Sequence, residues 1–117
     1  MADESCCNEK DYQKICQVAH AVNIKTEKAG GLRSSLRAAL KAKQLGLEVM
    51  FGIMVTTKHG CAQTFQLHPL ARYMDIDGDL LVKDPIVEGG FKWGKEGKID
   101  PWPEGCGLQV NSSVIFD

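Results

Sequence analysis

Apolar positions alternate between two spacings along the first eighty residues. Tyr12, Ile15, Cys16 and Ala19 fall at i, i+3, i+4 and i+7, which predicts a helix over 8–19. Asn8 would be its N-cap, followed by acidic residues in the first turn. Ala-Val-Asn-Ile-Lys at 21–25 is a short run that predicts a buried strand, and Gly30-Gly31 allows a tight turn after it. A second helix is predicted over 32–45, with Leu32, Leu36, Ala39 and Leu40 as its apolar face. Arg33, Arg37, Lys41 and Lys43 lie largely off that face, and Gly46 fits the position that ends the helix.

The run 47–54 (LEVMFGIM) predicts the next strand, and a third helix is expected over about 60–68, ended or kinked by Pro69. A further strand is expected at 73–77 (YMDID), with 80–82 extended. From Asp84 onward Gly, Pro and Trp dominate, and a hairpin-like tail over 86–93 and 98–99 is expected rather than more strand–helix units. Strands alternating with helices are the pattern of a parallel sheet with right-handed crossovers. The unit spacing suits either a flavodoxin-like sheet or part of a (β/α)8 barrel; a whole barrel takes about 250 residues, so this chain could supply about half of one.

Composition narrows the function classes. Fourteen Lys+Arg against fifteen Asp+Glu give a net charge of -1 over 117 residues. Nucleic-acid binding needs a basic face, which argues against that class. No apolar run reaches the roughly 18 residues that span a bilayer. The start, Met-Ala-Asp-Glu-Ser, is polar and acidic, unlike a secretory signal. Cys6, Cys7, Cys16, Cys61 and Cys106 are odd in number and form no CxxC, which points to reduced thiols and a cytoplasmic protein rather than a disulfide framework or zinc ribbon.

Polar residues collect where the strands end. These are Asp3-Glu4, Lys25, the Thr56-Thr57-Lys58 turn, and Asp75 with Asp77. In parallel α/β folds the ligand site lies at the carboxyl ends of the strands. Such a rim could hold a cation and a charged substrate. Other constellations say less. Asp75 to Asp79 is also good turn sequence. It is not an EF-hand loop, because the twelfth position is Ile86, not Glu. Lys58-His59-Gly60-Cys61 shows no nucleophile partner, Cys16 and His20 are too few for a metal site, and Gly30-Gly31 lacks dinucleotide spacing.

The ordered set Ala2-Asp3-Glu4-Ser5, Val22-Asn23-Ile24-Lys25 with Lys28 and Gly30-Gly31, Gly52-Ile53-Met54-Val55, and Asp75-Ile76-Asp77-Gly78 resembles the enolase superfamily. Within it the chain looks most like the muconate lactonizing subgroup, and specifically the dipeptide epimerases. Glu88-Gly89-Gly90 and the 103–108 run (PEGCGL) resemble that family's tail. The similarity extends to about Val110, and the ordered set is specific where each piece alone is weak.

The resemblance implies a fold and a site. Residues 1–83 would be the C-terminal half of a TIM-type barrel, strands five to eight of the family, and 84–117 a tail that in the family packs against a capping domain. Asp3 would match a Mg2+ ligand, with Glu4 a neighbouring acid beside it. Lys25 would match the lysine that takes or returns a proton on one face of the substrate carbon. Asp75 and Asp77 would receive the α-ammonium of a dipeptide, and Met54 and Val55 would line its side chain. The implied reaction is inversion of Cα by 1,1-proton transfer through an enediolate, with a magnesium ion stabilising the developing charge. The family's second lysine, two further metal carboxylates and the capping domain have no counterpart here, so the chain is expected to be inactive alone. Two uncovered strand edges would favour a homo-oligomer. The other readings are a non-catalytic flavodoxin-like binding domain, or another subgroup member such as a cycloisomerase or o-succinylbenzoate synthase.

Overall fold

The computed structural model describes residues 1–3, 11–83, 87–99 and 108–110. The elements in order are α1 (Tyr12–Ile15), β1 (Ala21–Lys25), α2 (Thr26–Ala29), α3 (Leu32–Gln44), β2 (Glu48–Gly52), α4 (Lys58–Phe65), β3 (Tyr73–Met74), β4 (Val87–Gly89) and β5 (Leu108–Val110). Turns of 3-10 helix cover His68–Leu70, Asp77–Leu81 and Lys95–Gly97.

The three first strands form one parallel sheet in sequential order, β1-β2-β3. Ala21 to Lys25 pair with Glu48 to Gly52, and Met50 and Phe51 with Tyr73 and Met74. Ala2 adds a parallel bridge to Val22 on the far side of β1. The strand positions therefore run in chain order, as in a wound barrel, with no reversal of the kind a doubly wound sheet shows at its switch point. Among the described residues, the main hydrophobic cluster lies on one face of this sheet. Val22, Ile24, Val49 and Phe51 point there and pack against Ala38, Ala39 and Ala42 of α3, with Tyr12 and Ile15 of α1 and Leu67. Helices on one side of a sequential parallel sheet make a segment of barrel wall, and the flavodoxin-like expectation does not hold.

Several expected boundaries move. The first helix is the short α1; Asn8, its expected cap, lies outside the described residues. An additional helix, α2, follows β1 directly, and Gly30 closes it with φ 87° while Gly31 follows at φ 99°. The third helix starts at Lys58 and ends at Phe65, and Pro69 sits in the next 3-10 turn. β2 runs from Glu48 to Gly52, so Leu47, Ile53 and Met54 fall outside the strand. β3 is only two residues long, and of 80–82 only Val82 is extended: Asp77–Leu81 winds into 3-10 helix. Gly78 is why. A Cβ there would run into the Met54 carbonyl oxygen, so the turn sits hard against the loop after β2.

The face of α3 also differs. Its buried residues are Ser35, Ala38, Ala39 and Ala42, while Leu32, Leu36 and Leu40 stay substantially exposed. Small side chains let the helix lie close on Val22 and Phe51, and the leucines flank that contact. The tail forms its own two-stranded antiparallel sheet, β4 with β5, and a Trp93–Ile99 bridge closes around Lys95–Gly97. The expected hairpin-like pairing of 86–93 with 98–99 is present only as that antiparallel bridge; β4 itself takes its partner from residues 108–110. No helix of the described residues is long and apolar enough to cross a membrane.

Candidate functional site

Side chains alternate across a strand, so β1 has two different faces. Val22 and Ile24 enter the helix-side core, which sends Ala21, Asn23 and Lys25 to the opposite face. Lys25 is the last residue of β1, at the carboxyl end of the sheet. Asp3, one residue beyond the Ala2 bridge, reaches the same place: its Oδ2 lies 3.2 Å from Lys25 Nζ. The lysine side chain is 17% exposed and the aspartate 42%, so the pair sits at the mouth of the wall rather than inside it.

The third strand contributes from the other side. The Asp75 amide donates to the Phe51 carbonyl at 2.9 Å, continuing the ladder one step past Met74. In that register Asp75 follows Tyr73 on the Lys25 side of the sheet, and Gly52 is the β2 residue opposite Lys25. With no side chain at Gly52, nothing from β2 stands between the lysine and Asp75. Burial pushes the Asp75 carboxyl above its ordinary range, the Asp77 charge and a hydrogen bond with Asp77 push the same way, and Lys25 pulls it back. Two carboxylates held together raise each other's proton affinity, and a nearby cation lowers it.

Asp3 and Lys25 thus meet at the end of adjacent strand positions, and Asp75 and Asp77 follow β3 at the same end of the sheet, on the far side of β2. Met54 and Val55 follow β2 in the loop beside them, both with exposed side chains. Glu4 lies outside the described residues.

Two features escaped sequence reasoning. Asn23, one layer below Lys25, is buried with its Oδ1 unpartnered, packed so tightly on Gly52 that a Cβ there would come within 2.6 Å of it. Asp79 turns inward and receives the Trp93 indole N–H at 3.3 Å. The period-two run Asp75, Asp77, Asp79 was a visible signal for the latter; the fold, not the spacing, separates its third member from the first two.

The arrangement can hold a cationic group against two carboxylates and present an ammonium or amine beside it. It does not by itself make a magnesium site. That ion prefers six oxygens in an octahedron. Among the described residues no three His, Cys, Asp or Glu side chains come together as a metal group, and the Asp3 carboxylate is already paired with Lys25.

No protein-family model matches the chain. Individual proteins do. An L-Ala-D/L-amino acid epimerase of Maribacter is 39% identical over 112 residues, covering 95% of this chain and 33% of that protein. The crystal structure of a dipeptide epimerase from Cytophaga hutchinsonii, complexed with Mg and D-Ala-L-Val, superposes with a TM-score of 0.82 at 27% identity, over 96% of this chain and 32% of that one. A dipeptide epimerase from Methylococcus capsulatus, complexed with Mg and L-Arg-D-Lys, gives 0.80 at 30% identity, over 94% and 32%. The chain spans about a third of the length of the relatives it matches. In sequence and in backbone it is a homologue of the dipeptide epimerases of the enolase superfamily, and its sheet is a partial barrel of that family.

Proposed function

We propose that these 117 residues supply one wall of a magnesium-dependent dipeptide epimerase, a racemase-type isomerase acting on amino acid derivatives. In this reading 1–83 is the barrel portion and 84–117 the tail. Lys25 is the acid/base group on one face of the substrate Cα. Asp75 and Asp77 receive the α-ammonium of a dipeptide. Met54 and Val55 line its side chain. Asp3 is a metal ligand, with Glu4 beside it. One observation carries the reading: the Lys25 ammonium at the end of β1 lies between a carboxylate from the preceding strand position and the Asp75–Asp77 pair after β3.

The chemistry follows from that spacing. A primary amine at a strand tip accepts a proton only when deprotonated, and lysine ordinarily titrates near 10.4. The Asp3 carboxylate lies 3.2 Å from the ammonium, so Lys25 would pass a proton to or from the substrate beside that carboxylate. The Asp75–Asp77 pair orients a cationic substrate terminus, whose charge would offset the mutual repulsion that raises the Asp75 carboxyl.

Inversion needs acid/base groups on both faces of Cα, and the described residues offer one lysine and one candidate ligand there. The 117 residues alone are accordingly inactive as an epimerase. The reading includes a cytoplasmic location, supported by the free thiols of Cys16 and Cys61. It also includes self-association, supported by the Ala2 and β3 edges, which have no outer strand partner among the described residues.

The test is a pair of measurements on the chain. Calorimetry with L-Ala-L-Glu is expected to show binding that Asp75→Asn and Asp77→Asn each weaken. Solvent deuterium is expected not to enter the dipeptide Cα, with or without added Mg2+. Clear exchange would refute the inactivity, and binding indifferent to both aspartates would refute the site.

A further inference from the structure

Asp79 is placed unlike its two neighbours in the run. Its side chain is only 8% exposed, on the inner side of the Asp77–Leu81 turn. Trp93 donates its indole N–H to Oδ1 at 3.3 Å, and the Cys61 thiol approaches the same oxygen at 3.8 Å. Lys58 Nζ lies 4.0 Å from Oδ2 and 5.5 Å above the ring of the buried Phe91, which meets Trp93 edge to face. One carboxylate therefore ties together α4, the turn and the segment after β4. Burial and the Asp79 charge hold the Cys61 thiol up at about 11, so the cysteine stays a neutral partner at physiological pH.

The opposite side of the same turn is fixed as well. Gly78 abuts the Met54 carbonyl, leaving the turn clamped between the loop after β2 and the tail. A charged hydrogen bond away from water holds geometry that an exposed ion pair does not. The turn begins at Asp77.

We propose that Asp79 is a positioning residue: bonded to Trp93 and flanked by Lys58, it fixes the Asp77–Leu81 turn and so sets the spacing between the Asp77 and Asp75 carboxylates. Its consequence for ligand binding rests on the proposed role of that pair; its effect on their spacing does not.

Trp93→Phe tests this, because it removes the indole donor, leaves every charge in place and keeps a ring against Phe91. The first readout is the titration of the Asp75 carboxyl, followed by carbon-13 NMR in the 117-residue chain. Asp77 and Lys25 are the charged groups acting on it. If Trp93→Phe frees Asp77 to move away, the Asp75 midpoint falls toward the ordinary carboxylate value, while amide shifts of β1 and α3 stay put. The second readout is affinity for L-Ala-L-Glu, expected to weaken by about threefold to tenfold, the size for loosening one charged contact. An Asp75 midpoint unchanged in a folded variant overturns the proposal. A midpoint that moves while even the unsubstituted chain binds no dipeptide supports the positioning role and sinks the ammonium-site reading instead. Should Trp93→Phe not fold, the unsubstituted chain still decides: a hydrogen-bonded Trp93 indole N–H exchanges slowly with solvent, and exchange at the free-indole rate overturns the proposal.

Discussion

The two faces of β1 do opposite work. Val22 and Ile24 are 0% and 2% exposed and lock onto α3, whereas two residues of the other face, Asn23 and Lys25, carry an unpaired amide oxygen and an ammonium paired at the surface. Burying apolar area stabilises by roughly 25 cal/mol per Å² removed from water. A partly exposed ion pair gives about 0–1 kcal/mol. The helix face therefore holds the wall up, and the other face is free to be shaped by chemistry.

Substitutions on the two faces should separate accordingly. Phe51→Ala, which empties a fully buried position on the helix-side face of β2, is expected to cost about 3–5 kcal/mol. That is enough to unfold a marginal domain in urea titration. Lys25→Ala should leave the urea midpoint nearly unchanged. Comparable losses for both would break the division of labour.

Gly52→Ala comes next and acts across the boundary. Its Cβ would meet Asn23 Oδ1 at 2.6 Å and Nδ2 at 2.9 Å, so the amide must move. The expected cost is about 1–3 kcal/mol. Asn23→Ala in the same chain should recover most of it, and a double variant no more stable than Gly52→Ala alone would contradict the packing account.

Asp3→Asn should cost less than about 1 kcal/mol, because the carboxylate it removes is 42% exposed. The loss should shrink further in high salt, as screening weakens the contact with Lys25. The smallest effect is on pH dependence. The folded Asp75 carboxyl lies above its unfolded value of 3.8. The folded state then binds more protons, so Asp75 makes the chain gain stability as pH falls from the folded midpoint toward 3.8. Above that window the strain of the ionised pair persists, and Asp75→Asn should relieve it at neutral pH. Thermal melts from pH 7 to pH 4 on both chains check the sign.

How much of this was legible depends on what sets each feature. The strand run at 21–25 and its terminal lysine were readable, because alternation and a polar tip are local properties. The parallel sheet followed from the repeated strand–helix order. The face of α3 was read correctly only at Ala39: ranking by hydrophobicity adds Leu32, Leu36 and Leu40, but close approach to a sheet selects small residues, and Ser35, Ala38 and Ala42 join Ala39 instead. Turn chemistry was visible at 75–79, but the helical winding of Leu80 and Leu81 was not, because the contact of Gly78 with the Met54 carbonyl joins segments distant in the chain. The four polar tips were each visible, but their convergence is a property of register, and the inward turn of Asp79 depends on Trp93, fourteen residues on.

The central claim is that Asp3, Lys25 and Asp75 meet on one face at the carboxyl end of the sheet. The nitrogen-15 resonance of the Lys25 ammonium tests it most directly, recorded in the unsubstituted chain, in Asp3→Asn and in Asp75→Asn. Convergence predicts that both substitutions shift that resonance and that a control at the opposite end of the sheet, Glu48→Gln, leaves it alone. A lysine signal that ignores both aspartates would place Lys25 away from them and contradict the account.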